Sequence, residues 1–258
     1  QRQGCFRSKS WRRFRESVYS KIHKAYESAV SGEEKNILKS ILQNAKIAYD
    51  TKNPLCQDTG QVIVFVKIGQ NVIIEGGLIE NAINSGISDC YKENYFRKST
   101  VKNAIFDRSN TKDNTPGIIY TEQIPGDEIK IGVLIKGAGS ENKSGIEMML
   151  PGASEEEIIE KCSNMILSSG ENSCPPMFIG IGAGATADRA FVLSKEAFLT
   201  DNFSPDETAL AEKIRTRTNN LYSGIMKESY VLNVRLKTAP THIACLPVAV
   251  TVNCHSER

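Results

Sequence analysis

Seven cysteines are spread over 258 residues, at positions 5, 56, 90, 162, 174, 245 and 254. Three of them share a context that the others lack. Cys56 sits in Pro54-Leu-Cys-Gln57-Asp58-Thr-Gly60, Cys174 precedes Pro175-Pro176, and Cys254 follows an apolar run and adjoins His255. Each falls in a predicted loop at the end of a regular element, where backbone can converge on a bound group. Iron binds thiolates, and three of them on a four-iron cluster leave one iron open as a Lewis acid. Scattered structural thiols are the competing reading of this spacing. No CxxC pair occurs, which argues against a zinc ribbon or a thioredoxin-type site. Cys162 and Cys90 fall on predicted helices like inert buried thiols, and Cys5 lies in a basic start.

Other polar groups could act beside such a centre. Asp58, next to Cys56, is a candidate acid, base or support for a metal ligand; an Asx turn or helix cap is the alternative. Arg97 could clamp a carboxylate through its planar fork, or be a solvated surface arginine. Gly137-Ala138-Gly139 follows a strand, so its N–H groups could form an anion nest, although Lys136 to Ser140 lacks the phosphate-loop pattern. Gly180-Ile-Gly-Ala-Gly-Ala185 does not match the dinucleotide fingerprint. His242, a few residues before a strand, is a candidate catalytic imidazole, with a structural histidine as its alternative.

These residues must be held by regular elements. Ser31-Gly-Glu-Glu34 reads as a capping box that opens a helix with Ile37, Leu38, Ile41, Leu42, Ala45 and Ala48 on its apolar face. Its end is expected near Asp50, ahead of Asn53-Pro54. A buried strand is predicted over 62–68, a helix over 78–91 and a strand over 129–135. Ser154 to Glu157 is a second capping box, opening a helix that carries Cys162 and stops at Gly170. Ser173-Cys174-Pro175-Pro176 is read as a loop, followed by the glycine-rich run, to which no element is assigned, and a helix through Lys195; strands are expected over 231–236 and 247–252. The pattern predicts a mixed α/β fold, a single unit over 17–258 with one mixed sheet flanked by helices. Residues 1–16 form a basic segment, read as an ordinary basic helix start with a disordered end as an alternative; its Arg-rich character leaves an organelle-targeting remnant as an alternative to a cytoplasmic protein.

Composition narrows the function classes. With 40% hydrophobic and 24% charged residues the chain is globular, and a net charge of +2 suggests neither a nucleic-acid nor a membrane partner. No apolar run reaches the roughly 18 to 20 residues of a spanning helix. An odd number of widely spaced cysteines predicts reduced thiols rather than a disulfide framework.

Taken together, the segments resemble the alpha-type half of the class I fumarase and L-tartrate dehydratase family. The matching stretches are Pro54-Leu-Cys-Gln-Asp-Thr-Gly60, Arg97-Lys-Ser with Asn110 to Pro116, Lys136-Gly-Ala-Gly-Ser-Glu-Asn142, Cys174-Pro-Pro, and His242 to Val250 with Cys254-His255. They occur in the family's order from about Ser17 onward. The resemblance implies a [4Fe–4S] cluster on Cys56, Cys174 and Cys254, with one iron left for substrate. It selects Cys254, twelve residues after His242, over Cys245, which is three after it. It further implies substrate contacts from Gln57, Arg97, Gly137, Ala138 and Gly139, with Asp58 and His242 as catalytic groups. The implied reaction is reversible dehydration of a 2-hydroxy dicarboxylate, malate or tartrate, by a hetero-oligomer with a beta subunit that carries further groups. The alternative from another class is a non-catalytic iron–sulfur scaffold or iron-responsive binding protein. Two positions depart from the family: Ala138 lies in what is usually a glycine run, and Ala185 stands where glycine is frequent.

Overall fold

Val62 to Val66 are β-branched or aromatic residues in succession, and they form the centre of strand β1 (Gln61–Gly69), buried on both faces. β2 (Ile118–Ile124) pairs with it in parallel and β3 (Ile129–Lys136) in antiparallel orientation, giving a three-stranded sheet in the order β2-β1-β3. The helix Ile79–Glu93 covers one face. Its Ile83, Ile87, Cys90 and Tyr91 pack with Val62, Val64, Val66, Phe96 and Ile135. These elements make one of two compact units in the computed structural model, which describes residues 14–257 of the chain.

The second unit comprises residues 14–46 and 139–257. Helices α1 (Glu16–Ser28) and α2 (Gly32–Thr51) open the described chain, so that Ile79–Glu93 is α3, and α2 runs on into the first unit. The Ser31 hydroxyl accepts the Glu34 N–H, as a cap should. The Glu34 carboxylate does not close the box; it turns inward and takes the Ser229 hydroxyl instead. The unit's sheet has the order β4-β7-β5-β6, built from Gly145–Met149, Leu246–Asn253, Met177–Ala185 and Val231–Thr241. β5 runs parallel to β6 and antiparallel to β7. The short α4 (Ala138–Glu141) precedes β4, and α5 (Glu155–Leu167), α6 (Ala187–Glu196) and α7 (Pro205–Leu221) complete the unit. Both halves of the Ser154–Glu157 box form, and Ser204 with Glu207 makes another at the start of α7.

The mixed α/β class holds, with the strands divided between two sheets where one was expected. The glycine-rich run, assigned no element from the sequence, is the body of β5. A Cβ on Gly182 would lie 2.1 Å from the Ala190 carbonyl oxygen, so the glycine is there to let α6 pack its backbone onto the strand. Of the basic start, residues 1–13 and Cys5 lie outside the described residues. The rest of that segment is anchored: Phe14 is buried, and Arg15 Nη1 donates to the Phe198 carbonyl at 2.6 Å. Among the described residues no helix is long and apolar enough to cross a membrane.

Candidate active site

In the first unit the loop carrying Cys56, Gln57 and Asp58 is tied down at its glycine end. Gly60 has φ +77°, and a Cβ there would stand 2.8 Å from Ile135 Cγ2 and 3.0 Å from the Lys136 carbonyl oxygen, so no larger residue fits. The Thr59 and Gly60 carbonyls both lie within hydrogen-bond distance of the buried Tyr91 hydroxyl, at 2.7 and 2.8 Å. Asn114, buried and itself at φ +65°, donates through Nδ2 to the Gly60 carbonyl and accepts through Oδ1 from the Ser99 and Thr100 N–H groups. The Thr59 hydroxyl donates to the Arg97 carbonyl at 2.8 Å. The Asn110–Pro116 loop, the Arg97–Ser99 stretch and the Cys56 loop are therefore one hydrogen-bonded assembly. Sequence reading placed Asn114 in a matching motif without a role and passed over Tyr91. A buried Tyr on α3's inward face was a signal, since its hydroxyl needs a partner.

Asp58 makes the expected Asx turn and a second, non-local hydrogen bond. Oδ1 accepts the Gly60 N–H at 2.9 Å as an Asx turn does, and Oδ2 accepts the N–H of Ala138, the first residue of α4, at 2.8 Å. One donor of the expected anion nest at Gly137, Ala138 and Gly139 is thus taken by the chain's own carboxylate. Ala138 has helical backbone, so its methyl demands no unusual dihedral. The Gln57 and Arg97 side chains are exposed, and Cys56 is half-buried with a free thiol.

In the second unit, strand register brings two cysteines together. Phe178 of β5 pairs with Asn253 of β7, so Cys174, just ahead of β5, and Cys254, just after β7, leave the sheet at the same end. The Cys174 carbonyl accepts both the His255 N–H, at 3.3 Å, and the His255 ring Nδ1–H, at 3.1 Å. Cys174 is exposed and has φ +56°, the left-handed region that non-glycine residues rarely occupy. Strain of this kind collects where a side chain is being aimed. Cys254 is half-buried, and its Sγ lies 3.0 Å from Ser256 Oγ. Beside them is an open cavity of about 410 Å³ between His255 and the α2 residues Asn36, Ile37, Ser40, Ile41 and Asn44.

The remaining cysteines divide as their environments dictate. Cys162 is fully buried on α5, and burial pushes its thiol up to about 12, which keeps it protonated and inert. Cys90 is disulfide-bonded, so the expectation of reduced thiols throughout fails there. Cys245 sits in the turn between β6 and β7, where its N–H donates to the His242 carbonyl. That turn is at the opposite end of the sheet, where Ala183 pairs with Val248 and Ala185 with Thr241. Ala185, where relatives were expected to carry glycine, has φ +56°, a conformation glycine would adopt without strain.

His242 belongs to that far end. The eight residues of β7 separate it from Cys254, and at strand rise they span about 25 Å. The expectation that His242 and the Cys254 ligand meet at one substrate is therefore not met within one copy of this unit. Twelve residues of spacing, most of them extended, hold the two groups apart. His242 is exposed, and its Nδ1 accepts the Ala244 N–H at 3.1 Å.

Among the described residues no three His, Cys, Asp or Glu side chains gather closely enough to hold a single metal ion. Cys56, Cys174 and Cys254 lie in loops at the ends of regular elements, and thiolates are the donors that iron–sulfur clusters take.

A family model for fumarate hydratase (fumerase) matches residues 6–258. The putative L(+)-tartrate dehydratase subunit alpha of Methanocaldococcus jannaschii is 36% identical over 254 residues, covering 94% of this chain and 89% of the relative. The L(+)-tartrate dehydratase subunits alpha of Escherichia coli K12 and Shigella sonnei are each 26% identical over 257 residues, covering 95% of this chain and 84% of theirs.

Proposed function

Because the chain belongs to the fumarate hydratase family of hydro-lyases, we propose that it is the cluster-carrying subunit of an enzyme that reversibly dehydrates a 2-hydroxy dicarboxylate, L-tartrate before malate, together with a beta-type partner chain. The observation that carries the reading is the junction of Cys174 with the Cys254–His255 tail through two hydrogen bonds to one carbonyl. In this reading Cys56, Cys174 and Cys254 would hold a [4Fe–4S] cluster. When bound, the cluster supplies an iron without a protein ligand, a Lewis acid for the departing hydroxyl.

The chain's own residues then bind and orient. The exposed Arg97 guanidinium, on backbone fixed by Thr59, grips a substrate carboxylate by two parallel hydrogen bonds. Gln57, exposed beside Cys56, offers an amide to a second polar group of the diacid. Asp58 is held by the N–H groups of Gly60 and Ala138, which aim its carboxylate and keep the Cys56 loop in register with the start of α4. It is this chain's candidate for moving a proton at the carbon next to a carboxylate. His242 is too distant to orient a substrate at this chain's Cys174–Cys254 end, so the remaining acid–base groups come from other chains. Tartrate is preferred because the relatives named above are tartrate dehydratase subunits.

The test is anaerobic co-purification with a beta-type chain, followed by iron and sulfide analysis and assays on L-tartrate and malate. Four irons and four sulfides per chain are expected, with turnover of L-tartrate exceeding that of malate. Anaerobic protein free of iron and sulfide would overturn the cluster, and a loaded complex inactive on both diacids would overturn the reaction.

A further inference from the structure

We propose that Ser256 is a positioning residue for the cluster: its hydroxyl donates to the Cys254 thiolate, slowing loss of that ligand and raising the reduction potential of the group it binds. The inference rests on the cluster reading above. Ser256 is only 2% exposed, and its Oγ lies 3.0 Å from Cys254 Sγ, the partner that satisfies a hydroxyl cut off from water. Between a thiol and a hydroxyl either group can donate. A metal-bound thiolate has no proton, so once Cys254 is a ligand the hydroxyl must be the donor.

The hydroxyl is held there from both sides along the chain. On one side His255 is fixed to the Cys174 carbonyl by its N–H and its ring. On the other, the buried Glu257 carboxylate accepts from Arg235 Nη1 at 2.9 Å and faces Arg15 Nη1 at 3.7 Å. Neither neighbour can move without breaking a non-local contact, so the backbone that carries Ser256 stays in place, with the buried hydroxyl 3.0 Å from the sulfur. A hydrogen bond to a thiolate favours the more negative, reduced state of the cluster and weakens the sulfur's tendency to protonate and leave.

The test compares the full chain with Ser256→Ala, each reconstituted anaerobically with iron and sulfide. Two quantities are read: bleaching of the visible cluster absorbance under a chelator, and the potential from an EPR-monitored redox titration. Ser256→Ala should bleach about 10-fold faster, the lower end for loss of a ligand's supporting partner, and titrate at a more negative potential. Ser256→Thr and Ser256→Val add the same volume and differ in the hydroxyl, so any packing disturbance is common to both. Thr should follow the wild type and Val should follow Ala. Equal bleaching and equal potential within the Thr/Val pair would overturn the proposal while leaving the cluster intact. A wild-type chain that takes up no cluster would overturn the cluster reading and this inference together.

Discussion

The two ends of the four-stranded sheet are built on opposite plans. At the Cys174–Cys254 end, groups distant in sequence hold one another: His255 reaches the Cys174 carbonyl, and buried Glu257 reaches Arg235 and Arg15. At the His242 end, a four-residue turn closes on itself through Cys245 N–H to the His242 carbonyl and Ala244 N–H to the His242 ring, and Ile243 is 90% exposed. The first plan fixes the backbone on which Cys174 and Cys254 sit. The second presents an imidazole to whatever lies outside the unit. Two cysteines close to His242 in sequence, Cys245 and Cys254, thus have unlike prospects as ligands, and the strand between them is the reason.

Removing single thiols should break the comparison most sharply. Cys174→Ala and Cys254→Ala are each expected to lower bound iron after anaerobic reconstitution by at least about 10-fold, whereas Cys245→Ala keeps the wild-type content. Iron retained by Cys254→Ala and lost by Cys245→Ala would reverse the assignment of the ends. Cluster-free protein gives a second contrast. At pH 8, Cys162, raised from 9.0 to about 12 by burial, should carry roughly 1,000-fold less thiolate than an unperturbed thiol. Mass spectrometry after brief iodoacetamide treatment should therefore find exposed Cys174 modified and Cys162 untouched.

Stability should separate the ends as well. Arg235→Met takes from the buried Glu257 carboxylate its 2.9 Å partner and leaves Arg15 at 3.7 Å, a loss that should cost about 3 kcal/mol in urea unfolding. His242→Ala, in an exposed turn, should change stability by less than about 0.5 kcal/mol. Similar losses for the two would show that the C-terminal tail is not the anchored element described above.

How much of this could be read from the sequence depended on whether an element declared itself locally. β1, α3, β3 and the Ser154 box emerged close to their observed limits because periodicity and caps lie within a few residues. β2 and β4 were missed, and each exists through pairing with a distant strand. The Gly180–Gly184 run was not recognised as a strand because its reason for being glycine, the backbone of α6, is not adjacent in sequence. α7 was missed despite Ser204-Pro205-Asp-Glu207, a capping box with proline in the first turn. Its buried face is only Ala211, Ile214 and Thr218, too thin an apolar stripe to draw notice. For the site, the three loop cysteines stood out from their neighbours. The contact of His255 with Cys174, 81 positions away, did not. The separation of His242 from Cys254 was legible, since a strand was expected over 247–252 between them, but the count of twelve was used without the length that a strand gives it.

A smaller loss than that of Arg235→Met concerns the middle of the sheet, which ties the two ends together. Glu196, at the end of α6, accepts from Lys237 of β6 at 2.9 Å and from Arg189 at 3.0 Å, with its side chain 13% exposed. Burial alone would raise its carboxyl, but the two cations outweigh burial and hold it below the ordinary glutamate value of 4.5. A carboxyl depressed on folding stabilises the protein above its unfolded-state value, and that contribution disappears as pH falls through the lowered one. Glu196→Gln should therefore be about 1 kcal/mol less stable than wild type at pH 7, with the difference shrinking steadily below pH 4.5. Urea unfolding at a series of pH values measures it. A gap that stays constant through the acid range would mean that the amide disturbs packing of α6 on the sheet rather than the ion pair with Lys237.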